Sequence, residues 1–193
     1  ANFLFMLRGS EAEADEVRGL ETYINTVIAH GMNNSTFTAR VIISTGSDMI
    51  SAVVGAIGSL KGPLHGGAPG PALDMVFELR TRAAASGKSL EAEAEAYVRQ
   101  TVDAGGRIMG FGHRVYKAED PRARHLKERS KRLGEARGQP HWFQILEAVQ
   151  EAMKPYQRRG IYVNVDFFAG SVYHLLGIPE ELYIPIFALG RIP

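Results

Sequence analysis

Three residues, each set in a stretch rich in glycine or apolar neighbours, are the strongest chemical candidates in this sequence. His65 lies in Lys61-Gly62-Pro63-Leu64-His65-Gly66-Gly67-Ala68, where glycines free the backbone and bare the imidazole. Such a ring is either a satisfied structural histidine or a positioned donor or base. His113 lies in a loop, 107–117, whose glycines expose main-chain donors and acceptors among Arg107, Arg114 and Lys117. That loop suits a phosphorylated, adenine-bearing ligand, or is simply a solvated basic loop. Asp166 stands among Val165, Phe167 and Phe168, so that burial would make its carboxylate a stronger base. Its alternative reading is a helix N-cap.

Other patterns fail on spacing. Gly87-Lys88-Ser89 lacks the glycine a phosphate loop needs five places earlier, where Arg82 stands, and reads instead as one helix end followed by the next start. Gly110-x-Gly112 would need its third dinucleotide-binding glycine at Val115. None of the six histidines forms a His-x-x-x-His pair, so no metal site is expected.

The chain has 193 residues, 45% hydrophobic, with 22 basic and 21 acidic side chains. A net charge of +1 gives no global field toward nucleic acid or an anionic membrane, so any anionic ligand must be held by local charges. The absence of cysteine excludes disulfides and thiol chemistry and fits a reducing compartment. Apolar runs stop well short of the ~20 residues a membrane span requires, and residues 1–7 lack the layout of a secretory signal. A soluble cytoplasmic protein is expected. The start at Ala1 and the stop at Pro193, just after an apolar run, read as cut ends.

The elements that must carry these residues are mostly helical. Leu20, Ile24, Val27 and Ile28 form one buried stripe from Val17 to near Gly31. Residues 49–60 have almost no polar face, which predicts a helix buried in a bundle or an interface. Further helices are predicted over 71–85, from Ser89 as N-cap to Gly105-Gly106, over 122–136, and from Trp142 to Met153 before Pro155. Residues 161–167 alternate apolar and polar, and on periodicity alone read as a half-buried strand. The Gly/Pro clusters at 62–71, 104–113 and 155–160 are the loops.

Taken together, Gly-Pro-Leu-His-Gly-Gly-Ala (62–68), Gly-Phe-Gly-His-Arg-Val-Tyr (110–116) with Asp-Pro-Arg (120–122), and Asn-Val-Asp-Phe (164–167) resemble the citrate synthase family. The similarity extends to residues 30–37 and to the closing 187–193. Two departures stand out: Ala29-His30-Gly31 replaces a common Asp-His-Glu, and Pro69-Gly70-Pro71 replaces the usual Asn-Glu.

The resemblance implies an all-α, citrate synthase-like fold, with a helical large domain (1–66 and 178–193) and a smaller helical lid domain (67–177). Residues 163–166 then become an extended lead into a helix. It also implies an acyltransferase that condenses acetyl-CoA or propionyl-CoA with oxaloacetate and water, giving citrate or 2-methylcitrate and CoA. Asp166 would be the base, His65 the donor to the thioester oxygen and His113 the donor to the oxaloacetate carbonyl. His30, Arg122 and Arg191 would hold the oxaloacetate carboxylates. Arg107, Ile108, Met109, Gly110, Phe111, Lys117, Arg159 and Asn164 would meet CoA. No tightly bound cofactor is implied, the CoA thioester being a substrate. The expected partners are these substrates and a second copy of the chain, a homodimer or higher assembly, with no nucleic acid and no membrane. A non-catalytic CoA-binding or assembly module on the same fold is the rival, and intact His65, His113 and Asp166 argue against it.

Overall fold

The computed structural model describes residues 1–28, 31–113 and 116–192. Ten α-helices follow one another among them: α1 (Asn2–Arg8), α2 (Ala14–Val27), α3 (Asn34–Ile43), α4 (Met49–Leu60), α5 (Pro69–Ser86), α6 (Leu90–Asp103), α7 (Ala123–Ala136), α8 (His141–Ala152), α9 (Asp166–Leu175) and α10 (Tyr183–Arg191). Short 3-10 turns cover Lys154–Arg159 and Glu180–Leu182. The described residues contain no extended sheet, so the fold is all-α, as the resemblance implies.

Local chemistry sets most boundaries. Ser89 caps α6 by accepting the Ala92 N–H at 3.3 Å, and Gly87, with φ of 66°, closes α5 in the left-handed conformation. Asp48 caps α4 through the Ser51 N–H at 2.9 Å. At the start of α2, Glu13 and Glu16 form a reciprocal capping box. The stripe predicted to run to Gly31 ends as a helix at Val27.

The predicted strand over 161–167 is absent. Among the described residues one antiparallel bridge forms, Phe111 to Val163. Beyond it the chain turns, because the Asp166 N–H donates to Asn164 Oδ1 at 2.9 Å and helix α9 begins there. The alternation reflects burial of Val163 and Val165 in a short extended lead, not a ladder.

Helix α9 is the centre of the core. Phe167, Phe168, Val172, Tyr173 and Leu175 are buried around it, and Leu126, Leu133, Trp142, Leu146 and Val149 fill the space toward α7 and α8. The helix approaches α7 closely enough for the buried hydroxyls of Ser130 and Ser171 to bond at 2.7 Å. On the other side Gly170 lets α9 meet α5: a Cβ there would stand 2.5 Å from the Pro69 carbonyl oxygen.

Helices α3 and α4 pack on each other but bare apolar side chains: Phe37, Val41, Met49, Ile50 and Val54 are all exposed, Met49 and Ile50 to 73%. Of the two settings predicted for residues 49–60, burial inside this chain's own bundle is therefore not realised. No helix among the described residues is long and apolar enough to cross a membrane.

Candidate active site

His65 sits in the tight turn between α4 and α5, its N–H bonded to the Gly62 carbonyl at 2.9 Å. Its Nε2 accepts the main-chain N–H of Ser35 at 3.3 Å and lies 3.0 Å from the Ser35 hydroxyl. A main-chain proton cannot rotate away, so Nε2 is the acceptor and the neutral ring carries its proton on Nδ1. Burial, with the charge of Arg191 beside it, holds the imidazole below its usual pKa. The Phe187 ring meets it edge-on, with centroids 6.4 Å apart.

His113 is fixed from the other nitrogen. The Tyr116 N–H donates to Nδ1 at 3.0 Å, and the Tyr116 ring stacks on the imidazole at 4.6 Å. The proton of the neutral ring is thereby placed on Nε2. Burial lowers this pKa also; Asp120 draws it up, while Arg122 and Lys117 push it down.

Asp166 is the first residue of α9, one place after the N-cap position, which Val165 holds, so the N-cap reading of Asp166 is not realised. The side chain keeps partial exposure, yet the protein packed around it removes enough water to raise its pKa to about 6. Burial is the main cause; Arg122 opposes it, Asp120 adds to it and Arg191 opposes it. The electrostatic neighbourhood of Asp166 thus contains both arginines expected to hold a dicarboxylate.

Those arginines are held differently. Arg122 donates Nε to Asp120 Oδ1 at 2.9 Å and Nη2 to Oδ2 at 2.7 Å. Arg191 donates Nε to the Val27 carbonyl at 2.5 Å and lies over the Phe187 ring at 4.8 Å. Its Nη1 is buried with no hydrogen-bond partner among the described residues, a donor that an anionic ligand would satisfy. His30, expected to join these two, lies outside the described residues.

The basic loop is shaped by close approach. Gly110 adopts φ of 80°, and a Cβ there would be 2.6 Å from the Phe167 Cα. Phe111 then packs edge-on against Phe167 at 4.8 Å. Asn164 donates its main-chain N–H to the Gly110 carbonyl and its Nδ2 to the Gly112 carbonyl, each at 2.9 Å. The Asn164 amide therefore ties the loop to the lead into α9. Ile108 is buried and Met109 half-buried, while Arg107, Lys117 and Arg159 are exposed. Lys117 reaches the His113 carbonyl at 3.4 Å, and Arg159 lies over Tyr156 at 5.9 Å.

Two residues at the site were not singled out from the sequence. Ser35 holds His65 from 30 positions away. Asp120 enters the sequence reading only within the Asp-Pro-Arg motif, though an acid two residues before an arginine is a local signal for the side-chain pair that forms.

The arrangement is a carboxylate with a raised pKa, two neutral imidazoles of defined tautomer and two guanidiniums, beside a main-chain-lined loop. The model of the family described as citrate synthase, C-terminal domain, matches residues 1–193. The chain belongs to the citrate synthase family. It is 44% identical over 192 residues to a citrate synthase of Deinococcus radiodurans, covering 99% of this chain and 48% of that one. It is 37% identical over 192 residues to a 2-methylcitrate synthase of Shewanella oneidensis, covering 100% and 48%. A citrate synthase of Thermoplasma acidophilum, solved as a ternary complex with carboxymethyl coenzyme A and oxaloacetate, superposes with a TM-score of 0.87 at 34% identity, covering 98% of this chain and 49% of that one. The chain spans about half the length of these relatives.

Proposed function

We propose that the intact protein condenses an acyl-CoA, acetyl or propionyl, with oxaloacetate and water to give citrate or 2-methylcitrate and free CoA. The observation that carries this reading is Asp166, a carboxylate with a raised pKa that shares its electrostatic neighbourhood with Arg122 and Arg191.

The chemistry follows from the protonation states. Asp166 removes a proton from the carbon next to the thioester, while Nδ1–H of His65 donates to the thioester oxygen, which yields an enol or enolate. That carbon attacks the oxaloacetate ketone, whose oxygen receives a hydrogen bond from Nε2–H of His113. A carbon–carbon bond forms, the ketone becomes a hydroxyl, and water then cleaves the thioester with CoA thiol as leaving group. Arg122, Arg191 and His30 hold the two carboxylates by charge-assisted hydrogen bonds. Arg107 to Phe111, Lys117, Arg159 and Asn164 form the CoA side, with CoA as a substrate and no tightly bound cofactor.

In the same reading, residues 1–66 and 178–193 belong to a large domain and 67–177 to a lid that closes on the substrates. The bare apolar face of α3 and α4 packs against a second copy of the chain. The protein works in the cytoplasm, in keeping with a sequence without cysteine.

The two acyl groups differ by one methylene, worth ~1–3 kcal/mol of discrimination. The test is the intact protein with oxaloacetate and either acetyl-CoA or propionyl-CoA, with free thiol followed in time and products identified by mass. Thiol release that depends on oxaloacetate supports the reading, and the ratio of kcat/KM assigns the substrate. CoA binding without thiol release would favour the non-catalytic module.

A further inference from the structure

The side chain with the most connections at this site is one the proposed reaction does not use. Asp120 is fully buried. Its Oδ1 accepts the Arg122 main-chain N–H at 3.0 Å and Arg122 Nε at 2.9 Å. Its Oδ2 accepts Arg122 Nη2 at 2.7 Å and the main-chain N–H of Val165, 45 residues away, at 3.2 Å. Its own N–H donates to the Val163 carbonyl at 3.2 Å. One carboxylate therefore holds both the guanidinium and the segment that delivers Asp166.

We propose that Asp120 is a positioning residue of the condensation site: it presents Arg122 to oxaloacetate in one orientation and cancels that arginine's charge beside the base. The inference rests on the function proposed above. Orientation follows from the geometry. Nε and one N–H of Nη2 are occupied by Asp120, so a substrate carboxylate meets the remaining edge of the guanidinium, formed by Nη1 and Nη2.

Charge cancellation follows from what surrounds Asp166. Arg122 and Asp120 face it from the turn before α7, Arg191 from α10, Tyr23 from α2 and Tyr173 from α9 itself. Both phenols are buried and held above their usual pKa, so they remain neutral. Burial alone would raise the Asp120 carboxyl, but its bonds from Arg122 outweigh this and keep it ionised. With Asp120 charged, the base sees one net cation, Arg191; without it, the base sees two. A second uncancelled guanidinium would turn Asp166 into a weaker base.

Two variants of the intact protein test this in opposite directions through the acid limb of the kcat–pH profile. Asp120→Asn keeps the shape but uncovers Arg122, so the limb should move down by about one pH unit, and the oxaloacetate KM should rise by about tenfold. Arg122→Gln uncovers Asp120, so the limb should move up by about one unit. The double variant removes both charges and should return the limb toward its original position. If Asp120→Asn does not fold, the upward move in Arg122→Gln still decides the matter. Limbs unmoved in the variants that fold, whatever activity is lost, would reduce Asp120 to a structural role and overturn the proposal. That outcome is separate from failure of the function itself, which would appear as no oxaloacetate-dependent thiol release in the unmodified protein.

Discussion

Nε2 of His65 lies 3.0 Å from the hydroxyl of Ser35 and takes that residue's main-chain N–H at 3.3 Å. The contact ties the turn after α4 to the first turn of α3 and decides which ring nitrogen carries the proton. Removing the hydroxyl in Ser35→Ala leaves the main-chain donor in place but frees the ring to swing. One net hydrogen bond is worth about 0.5–1.5 kcal/mol, so kcat should fall roughly three- to tenfold with little change in oxaloacetate KM. Steady-state kinetics on the intact protein checks this; unchanged kcat would mean that Phe187 and the turn alone orient the ring.

The pH profile offers a second check. A base with a pKa of about 6 is ionised above that value, so kcat should fall as the pH drops through 6. A profile flat down to pH 5 would return Asp166 to ordinary carboxylate behaviour. The same shift has a stability sign. The folded pKa lies above the unfolded one, so the cost of holding the charge is fully present above pH 6 and is relieved as the pH falls toward 4. Asp166→Asn should therefore stabilise the fold at pH 7, by about 1–2 kcal/mol once partial exposure is allowed for, and the gain should vanish near pH 4. Denaturant melts of the two proteins at both pH values measure it.

Gly110 is a position where a single methyl group should be costly. Its φ of 80° disfavours any side chain, and the added Cβ would stand 2.6 Å from the Phe167 Cα, a backbone atom with nowhere to go. Gly110→Ala should destabilise the fold by at least about 2 kcal/mol and separate the basic loop from the lead into α9. Melting and CoA affinity report the two effects; a variant with unchanged values for both would contradict the close approach.

Much of this architecture was legible in the sequence, and the failures have physical causes. Helix α4 was bounded correctly because residues 49–60 form one continuous run of apolar and small side chains between more polar neighbours. Ser89 and Gly87 marked the break between α5 and α6 because caps act over three or four residues. Helix α3 was not predicted, since its Thr, Val and Ile residues disfavour helix and its order comes from packing on α4. Residues 161–167 imitated a strand because burial of Val163 and Val165 has the same period as a ladder. His65, His113 and Asp166 could be singled out because their immediate neighbours are distinctive. The contact of Ser35 with His65 and that of Asp120 with Val165 could not, because these partners lie 30 and 45 residues away.

The exposed face of α3 and α4 makes a prediction about assembly. Phe37 and Val54 are 59% and 63% exposed in the single chain. If a second copy covers them, Phe37→Glu combined with Val54→Glu should place charges in an apolar interface and halve the mass of the intact protein seen by light scattering. Unchanged mass would show that the subunits meet elsewhere.

In the proposed reaction Asp166 is the base of an oxaloacetate-dependent condensation. Asp166→Asn in the intact protein keeps the shape of the side chain and removes its basicity. Thiol release from acyl-CoA should slow at least ~100-fold, while oxaloacetate binding measured by calorimetry should stay near its original affinity. Turnover unchanged at full oxaloacetate occupancy would show that Asp166 is not the base.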